Sequence, residues 1–282
     1  MNLPFDVDLN GKVAVVTGAG GVLCSTMAHA LAACGASVAL LDLDEEAAKR
    51  NAEEIAKEGF VAKGYQANVL ERDSLRAAHG KILADLGPCD IIINGAGGNH
   101  PRATTEKEIF EAGDLDADTK TFFNLDQGGV EFVFNLNFIG TLLPTQEFSR
   151  DMVGRAGCSI LNISSMNAYT PLTKIPAYSA AKAAVSNFTQ WLAVHFADVG
   201  IRVNALAPGF FATKQNEKLL FHADGSPTPR TGKILAATPM KRFGETEELL
   251  GSVLFLLDQE AASFITGVVL PIDGGFSAYS GV

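Results

Sequence analysis

Residues 12–44 read KVAVVTGAGGVLCSTMAHALAACGASVALLDLD. An apolar run, a glycine turn, a helical segment, a second apolar run and an acid follow in that order. This is the outline of a βαβ unit that holds a dinucleotide. Val22 and Cys24 stand where such a turn usually carries glycine. The stretch therefore sets a question: whether the chain still binds a dinucleotide or keeps only the shape.

The same rhythm continues outward. Strand-like runs fall at 13–18, 37–42, 59–69, 89–97, 158–165, 201–209 and 267–275. Most are continuous and rich in Val and Ile, as in strands buried on both faces of a parallel sheet. Helical patterns at 24–34, 44–57, 71–86, 129–153, 177–198 and 246–257 lie between them. Strand and helix in alternation predict a doubly wound α/β fold. There is no internal repeat and no Pro/Ser-rich linker, so one domain is expected over residues 1–282. Two polar excursions, 98–128 and 210–238, interrupt the rhythm after strand ends. Ligands bind at that edge of an open α/β sheet, so the excursions are expected to form the substrate site.

Composition narrows the partners. Hydrophobic residues make up 47% of the 282, enough for a sizeable core. A net charge of −10 argues against nucleic acid, whose phosphates need a basic surface, but not against a small anion in a local pocket. No run approaches the ~20 apolar residues of a membrane helix. The start, MNLPFDVDLNGK, lacks the basic and apolar regions of a secretory signal. Cys24, Cys34, Cys89 and Cys158 show no metal-binding spacing and read as buried free thiols. A cytoplasmic protein without a metal is expected.

A helix N-terminus after a glycine turn binds pyrophosphate through unpaired N–H groups and the helix dipole. Gly18, Gly20, Gly21, Val22 and Leu23 form that turn. Asp42 ends the second strand, where a carboxylate accepts hydrogen bonds from the adenosine ribose and repels a 2′-phosphate. Leu43 follows, with no adjacent cation for that phosphate, so NAD is preferred over NADP. Asn68 and Val69 are placed to flank the adenine. Asn94, Gly95 and Ala96 offer a close approach to the fourth strand. A plain structural turn and a solvated strand-end acid are the competing readings.

The most specific stretch is SSMNAYTPLTKIPAYSAAK, 164–182. Tyr178 and Lys182, spaced i and i+4 on a helical segment, share one face. A tyrosine with its ordinary pKa of about 10 is a poor base at neutral pH, and a nearby ammonium lowers that value. Ser165 ends the preceding strand and can hydrogen-bond a reacting oxygen. These parts suit proton transfer during hydride transfer.

With TGAGG, NGAGG, NLNFIG, NISS, YSAAK, RVNALAPG and DGGF in this order, the chain resembles the short-chain dehydrogenase/reductase family over nearly its full length. The resemblance implies a single Rossmann-type domain. It gives Tyr178 the acid/base role and Ser165 the task of polarising the substrate oxygen. Lys182 would bind the nicotinamide ribose and tune Tyr178, and Asn137 would hold a water of a proton relay. Pro208, Gly209, Phe211 and Thr213 would meet the nicotinamide end. It also implies a homo-oligomer, tetramer or dimer, built partly from the Tyr178 helix and the C-terminal segment. The chain departs from the family's TGxxxGxG at Val22 and Cys24, from its NNAG at Gly95, and at Asn68, where an Asp is usual.

The long segment 94–137, with 164–178 and 208–221, is similar to the D-mannonate oxidoreductases of that family. That likeness implies NAD-linked interconversion of D-fructuronate and D-mannonate. Another sugar acid, a keto-gluconate, a sugar alcohol, or non-catalytic NAD binding are the alternatives. A polyol acid needs a cation for its carboxylate and several polar groups for its hydroxyls. The candidates are Asn99, His100, Arg102, Asn167, Lys174 and Lys214, with Gln215, Asn216 and Arg230 behind them. Arg102 and Lys214 are the preferred carboxylate binders. His195 is expected to be packed, and Trp191 to lie in the core or at a subunit interface.

Overall fold

The computed structural model describes residues 7–116, 118–213 and 220–281. Its sheet is parallel throughout, in the order β3-β2-β1-β4-β5-β6-β7. The strands are β1 (Val13–Thr17), β2 (Ser37–Asp42), β3 (Ala62–Gln66), β4 (Ile91–Asn94), β5 (Ser159–Ile163), β6 (Arg202–Pro208) and β7 (Val269–Ile272). Successive side chains of a strand face opposite ways. On β1, Ala14 and Val16 enter one apolar layer with Met27, Leu31 and Leu206. Val13 and Val15 enter the other, with Leu41, Phe148 and Ile160. Both faces are covered, so both sets must be apolar, and the strands read as continuous runs.

The helices are α1 (Val22–Ala33), α2 (Glu45–Lys57), α3 (Arg72–Asp85), α4 (Gln127–Phe134), α5 (Gly140–Phe148), α6 (Pro176–His195), α7 (Pro229–Ala237) and α8 (Leu250–Leu257). Local chemistry starts several of them. Asp44 caps α2 by accepting from Ala47 N at 3.1 Å, and Glu45 and Glu46 follow at the positive end of the dipole. Pro176 opens α6, where its missing N–H costs no helix bond.

The helix expected over 129–153 is broken. A π turn, Asn135–Ile139, separates α4 from α5, and a 3₁₀ turn, Ser149–Met152, follows. Pro144 lies inside α5 and cannot donate to the Gly140 carbonyl, so the hydrogen-bond ladder is interrupted there as well. The run at 59–69 yields only the short β3, because Gly59, at φ 93°, ends α2 first. The excursions are not bare loops. The first carries 3₁₀ turns at Pro101–Ala103, Ala112–Leu115 and Phe122–Asn124, and the second carries α7. His195 is exposed rather than packed within the protein, stacking on Trp191 at 4.7 Å, and Trp191 is 57% exposed rather than core. No helix among the described residues is long and apolar enough to cross a membrane.

Strand order reverses between β1 and β4, so the crossovers leave in opposite directions and a crevice opens between their C-terminal ends. That crevice positions the site. Farther out, β3 packs tightly under α2. A β-carbon at Gly64 would lie 2.5 Å from Lys49 N and 2.6 Å from the Ala48 carbonyl carbon, main-chain atoms that cannot swing aside. Gly64→Ala is expected to cost about 1–3 kcal/mol by overpacking. Thermal unfolding followed by circular dichroism checks this, and an unchanged melting temperature would refute it.

Candidate active site

The crevice is a groove of about 500 Å³, a size typical of small-molecule sites. Gly18, Gly20, Gly21, Val22 and Leu23 line it, with Asp42, Asn68, Val69, Gly95 and Ala96. Gly18 has φ 70°, and a β-carbon there would lie 2.9 Å from Ala96. Only glycine meets both demands. Gly20 N donates to Asp42 Oδ2 at 2.9 Å, and Asp44 N donates to Oδ1 at 3.0 Å, so the carboxylate is fixed at one end of the groove. Asn68 closes a local turn, accepting from Leu70 N at 3.0 Å and donating to Glu71 at 2.9 Å.

Two departures from the family pattern explain each other. A β-carbon at Gly95 would come within 2.2 Å of Cys24 Sγ. The thiol therefore occupies the space a side chain at position 95 would need. Cysteine in the α1 turn and glycine at the end of β4 are a matched pair across the crevice. The buried thiol is pushed up to about 12 by burial, so it is a neutral packing group. Thr17, which the sequence reading did not single out, holds the same junction. Its hydroxyl accepts from Gly95 N at 3.1 Å and Ala96 N at 3.3 Å.

The groove passes beside Asn137 and Lys182. Gly97 and Ile163 line it. A β-carbon at Gly97 would lie 2.6 Å from Asn137 Oδ1 and 3.1 Å from Lys182 Nζ. Lys182, 3% exposed, donates to the Ile163 carbonyl at 2.7 Å and stands 5.7 Å from the centre of the Tyr178 ring. Burial pulls its ammonium from an ordinary 10.5 down to about 8. Burial raises the Tyr178 phenol, and a hydrogen bond with Ser165 works the other way. The expected lowering by Lys182 is not the governing effect here. Ser165 Oγ also accepts from Asn167 N at 3.2 Å. Asn137 sits in the π turn, fully buried, and clamps the end of β4. Its Nδ2 donates to the Gly98 carbonyl at 2.7 Å, and its Oδ1 accepts from Gly98 N at 3.1 Å. π turns recur at functional sites, and NLNFI gave no local sign of one.

Other candidates lie elsewhere. The Asn94 side chain leaves the groove for the core, donating to Thr145 and Asn162 at 2.8 Å each. Pro208 and Gly209 end β6 and do not line the groove; Gly209 N donates to the Ile272 carbonyl at 2.8 Å. The Phe211 ring fills the bare side of Gly244, and Thr213 likewise lies off the groove. Arg102 is already paired with Asp126 at 3.1 Å and more than half exposed, so a carboxylate there would meet a competing anion. Asn99 is exposed and bonded to Thr104, and His100 caps its own turn. Asn167 is buried beside Ser165 with its Oδ1 unpartnered. Lys174 and Arg230 face a second cleft. Lys214, Gln215 and Asn216 lie outside the described residues.

Two expectations follow from this geometry. Gly95→Asn drives a side chain into Cys24 and is expected to lose about 1–3 kcal/mol. Adding Cys24→Gly should recover most of that loss, and a double-mutant cycle on melting temperatures measures the coupling. Additive effects would show that the two positions are independent. Lys182 gives the second. The unfolded lysine keeps its proton up to about 10.5, the folded one only to about 8. The folded state is penalised below pH 8 and relieved as pH rises through that window. Lys182→Met should therefore stabilise at pH 7 by up to about 3 kcal/mol, with the gain fading toward pH 10.5. Denaturant melts at both pH values decide it, and a gain independent of pH would refute it.

With the groove and its flanking residues in place, likeness to known proteins can be set beside them. The sequence pattern of the short chain dehydrogenases matches residues 12–222. An oxidoreductase of Haemophilus influenzae is 60% identical over 282 residues, 100% of this chain and 99% of that protein. UxuB, an oxidoreductase of Bacillus subtilis, is 50% identical over 280 residues, 99% of this chain and 100% of its own length. A solved Haemophilus structure, provisionally described as a D-mannonate oxidoreductase with bound NAD, is 59% identical, with a TM-score of 0.95 and 100% coverage of both chains. The chain belongs to the short-chain dehydrogenase family and is an oxidoreductase acting on a CH–OH group.

Proposed function

We propose that this protein interconverts D-fructuronate and D-mannonate with NAD, using Tyr178 as the acid and base. The observation that carries the reading is a groove lined by the Asp42 carboxylate and by Gly97 and Ile163, both of which adjoin Lys182, one helical turn from Tyr178. The sugar-acid assignment is supported by the likeness to the Haemophilus structure described with NAD.

The groove suits a dinucleotide. Gly18, Gly20, Gly21, Gly95 and Gly97 line it, so main chain rather than side chains forms much of its wall. Val22 and Leu23, the first residues of α1, would hold the pyrophosphate, and Asp42 the adenosine ribose. Asp42 would repel a 2′-phosphate, which supports NAD over NADP. Bound NAD supplies the hydride acceptor for the alcohol and, reduced, the hydride donor for the ketone.

The chain's own residues handle the proton. Ser165 Oγ accepts from Asn167 N and is hydrogen-bonded to Tyr178, so its hydroxyl would turn from the phenol to the substrate oxygen when substrate binds. Tyr178, raised by burial, keeps its proton at neutral pH and can deliver it to a ketone oxygen. In the opposite direction the phenol oxygen must accept a proton, which alkaline pH favours. Lys182, at about 8, exchanges protons near neutrality beside that ring. Asn137 fixes the end of β4 against α4, and so holds the groove's length.

We further propose a homo-oligomer in the cytoplasm. Trp191 and Val194, 57% and 80% exposed on α6, form an apolar face suited to a second copy. The four cysteines are free thiols, in keeping with a reducing compartment.

The test is an assay of D-mannonate with NAD and then NADP, followed by near-ultraviolet absorbance. Turnover with NAD, rising with pH, is expected. Tyr178→Phe should lose most turnover and keep NADH affinity. A neutral polyol turned over in place of D-mannonate would overturn the substrate, and a fully active Tyr178→Phe would overturn the acid/base role.

A further inference from the structure

A second cleft, of about 480 Å³, opens between the loop before α6, the end of β6 and α7. Its walls carry Lys174, Arg230 and Lys233, with a single carboxylate, Glu108. Ile175 and Phe210 line its apolar side. Ile175 caps α6, whose first turn carries Tyr178, and Phe210 follows the end of β6. The cleft therefore flanks the catalytic turn.

Its cations are unequally committed. Lys233 donates to Glu108 at 2.8 Å. Among the described residues, Lys174 and Arg230 have no such pair. The hydrogen bond from Lys233 holds Glu108 below the usual carboxylate range, and Lys174 and Arg230 add to the same field. All three cations thus converge on one spot. α7 adds the positive end of its dipole, with no acid in its first turn.

The backbone at Lys174 gives an independent sign. Its φ is 71°, a region that glycine adopts far more readily. Its carbonyl is held there by Thr105 N at 2.9 Å. Residues held in this region cluster at functional sites and ligand clamps.

We propose that Lys174 and Arg230 form the carboxylate clamp of the sugar-acid substrate. This rests on the oxidoreductase reading above and replaces Arg102 and Lys214 in that role. In D-fructuronate the carboxylate lies four carbon–carbon bonds from the keto carbon, roughly 5 Å when extended. An acid with its keto group at Ser165 and Tyr178 can thus send its carboxylate toward the neighbouring cleft. Arg230 offers the planar fork that binds a carboxylate through two N–H groups, and Lys174 a point charge.

Steady-state kinetics on the whole enzyme test the clamp, with NADH affinity measured by fluorescence as a check on the groove. Arg230→Ala should raise KM for the acid by roughly 10- to 100-fold with kcat little changed. Arg230→Lys should recover part of the loss. Lys174→Gly relieves the backbone, so it should raise KM while the melting temperature holds or rises. Glu108→Gln frees Lys233 and should lower KM. Unchanged KM in both Arg230→Ala and Lys174→Gly overturns the clamp. If the wild type oxidises a different sugar acid, the D-mannonate reading falls and the same KM comparison on that acid decides the clamp. If no sugar acid is turned over or binds the NADH complex, both fall.

Discussion

The structure turns on how closely β1 and β4 can approach at the point where the strand order reverses. The Thr17 hydroxyl receives the N–H groups of Gly95 and Ala96, and ties the end of one strand to the first residues beyond the other. Gly18 can pass Ala96 only without a side chain, and Gly95 leaves room for Cys24. Gly18, Cys24, Gly95 and Ala96 of this junction all line the groove. The α1 turn rises from one side of it, and the path to Gly97, Asn137 and Lys182 leaves from the other. A slip there would displace both ends of the site, because the sheet is packed on both faces and has no slack to absorb it.

This junction also marks the limit of what the sequence discloses. Period and apolarity were enough for the strands, since a strand buried on both faces must be continuous. Tyr178 and Lys182 were legible because a helix turns their spacing into a shared face. The match of Cys24 with Gly95 was not legible in that way. Each looks like a lost feature alone, and the compensation exists only in space, across 70 intervening positions of chain. The ion pair of Arg102 was hidden for a related reason. A cation near a strand end is a fair candidate until a distant carboxylate, Asp126, is folded against it. The π turn that bears Asn137 departs from an α-helix by one residue per turn, too little for hydrophobic period to register.

Electrostatically the chain divides its labour. The chain carries a net charge of −10, yet two of its cations, Lys182 and Lys174, are treated in opposite ways. Lys182 is sealed from water and loses much of its hold on its proton. Lys174 is left partly open beside Arg230 in a cleft where positive charge prevails. The first arrangement suits a group that must exchange a proton near neutral pH. The second suits one that attracts an anion.

The first turn of α6 is where these two environments meet. Lys174 and Ile175 lead into it from the cleft, and Lys182 lies one turn beyond Tyr178 on the groove side. Tyr178 thus lies on the turn that joins Ile175 in the cleft to Lys182 beside the groove. Helix geometry fixes that arrangement more rigidly than loops could, because residues four apart on a helix cannot change their relative direction without breaking its backbone bonds. The excursions are free to vary in length and composition for the same reason. They shape the cleft, while the distance from cleft to phenol is set by the start of one helix.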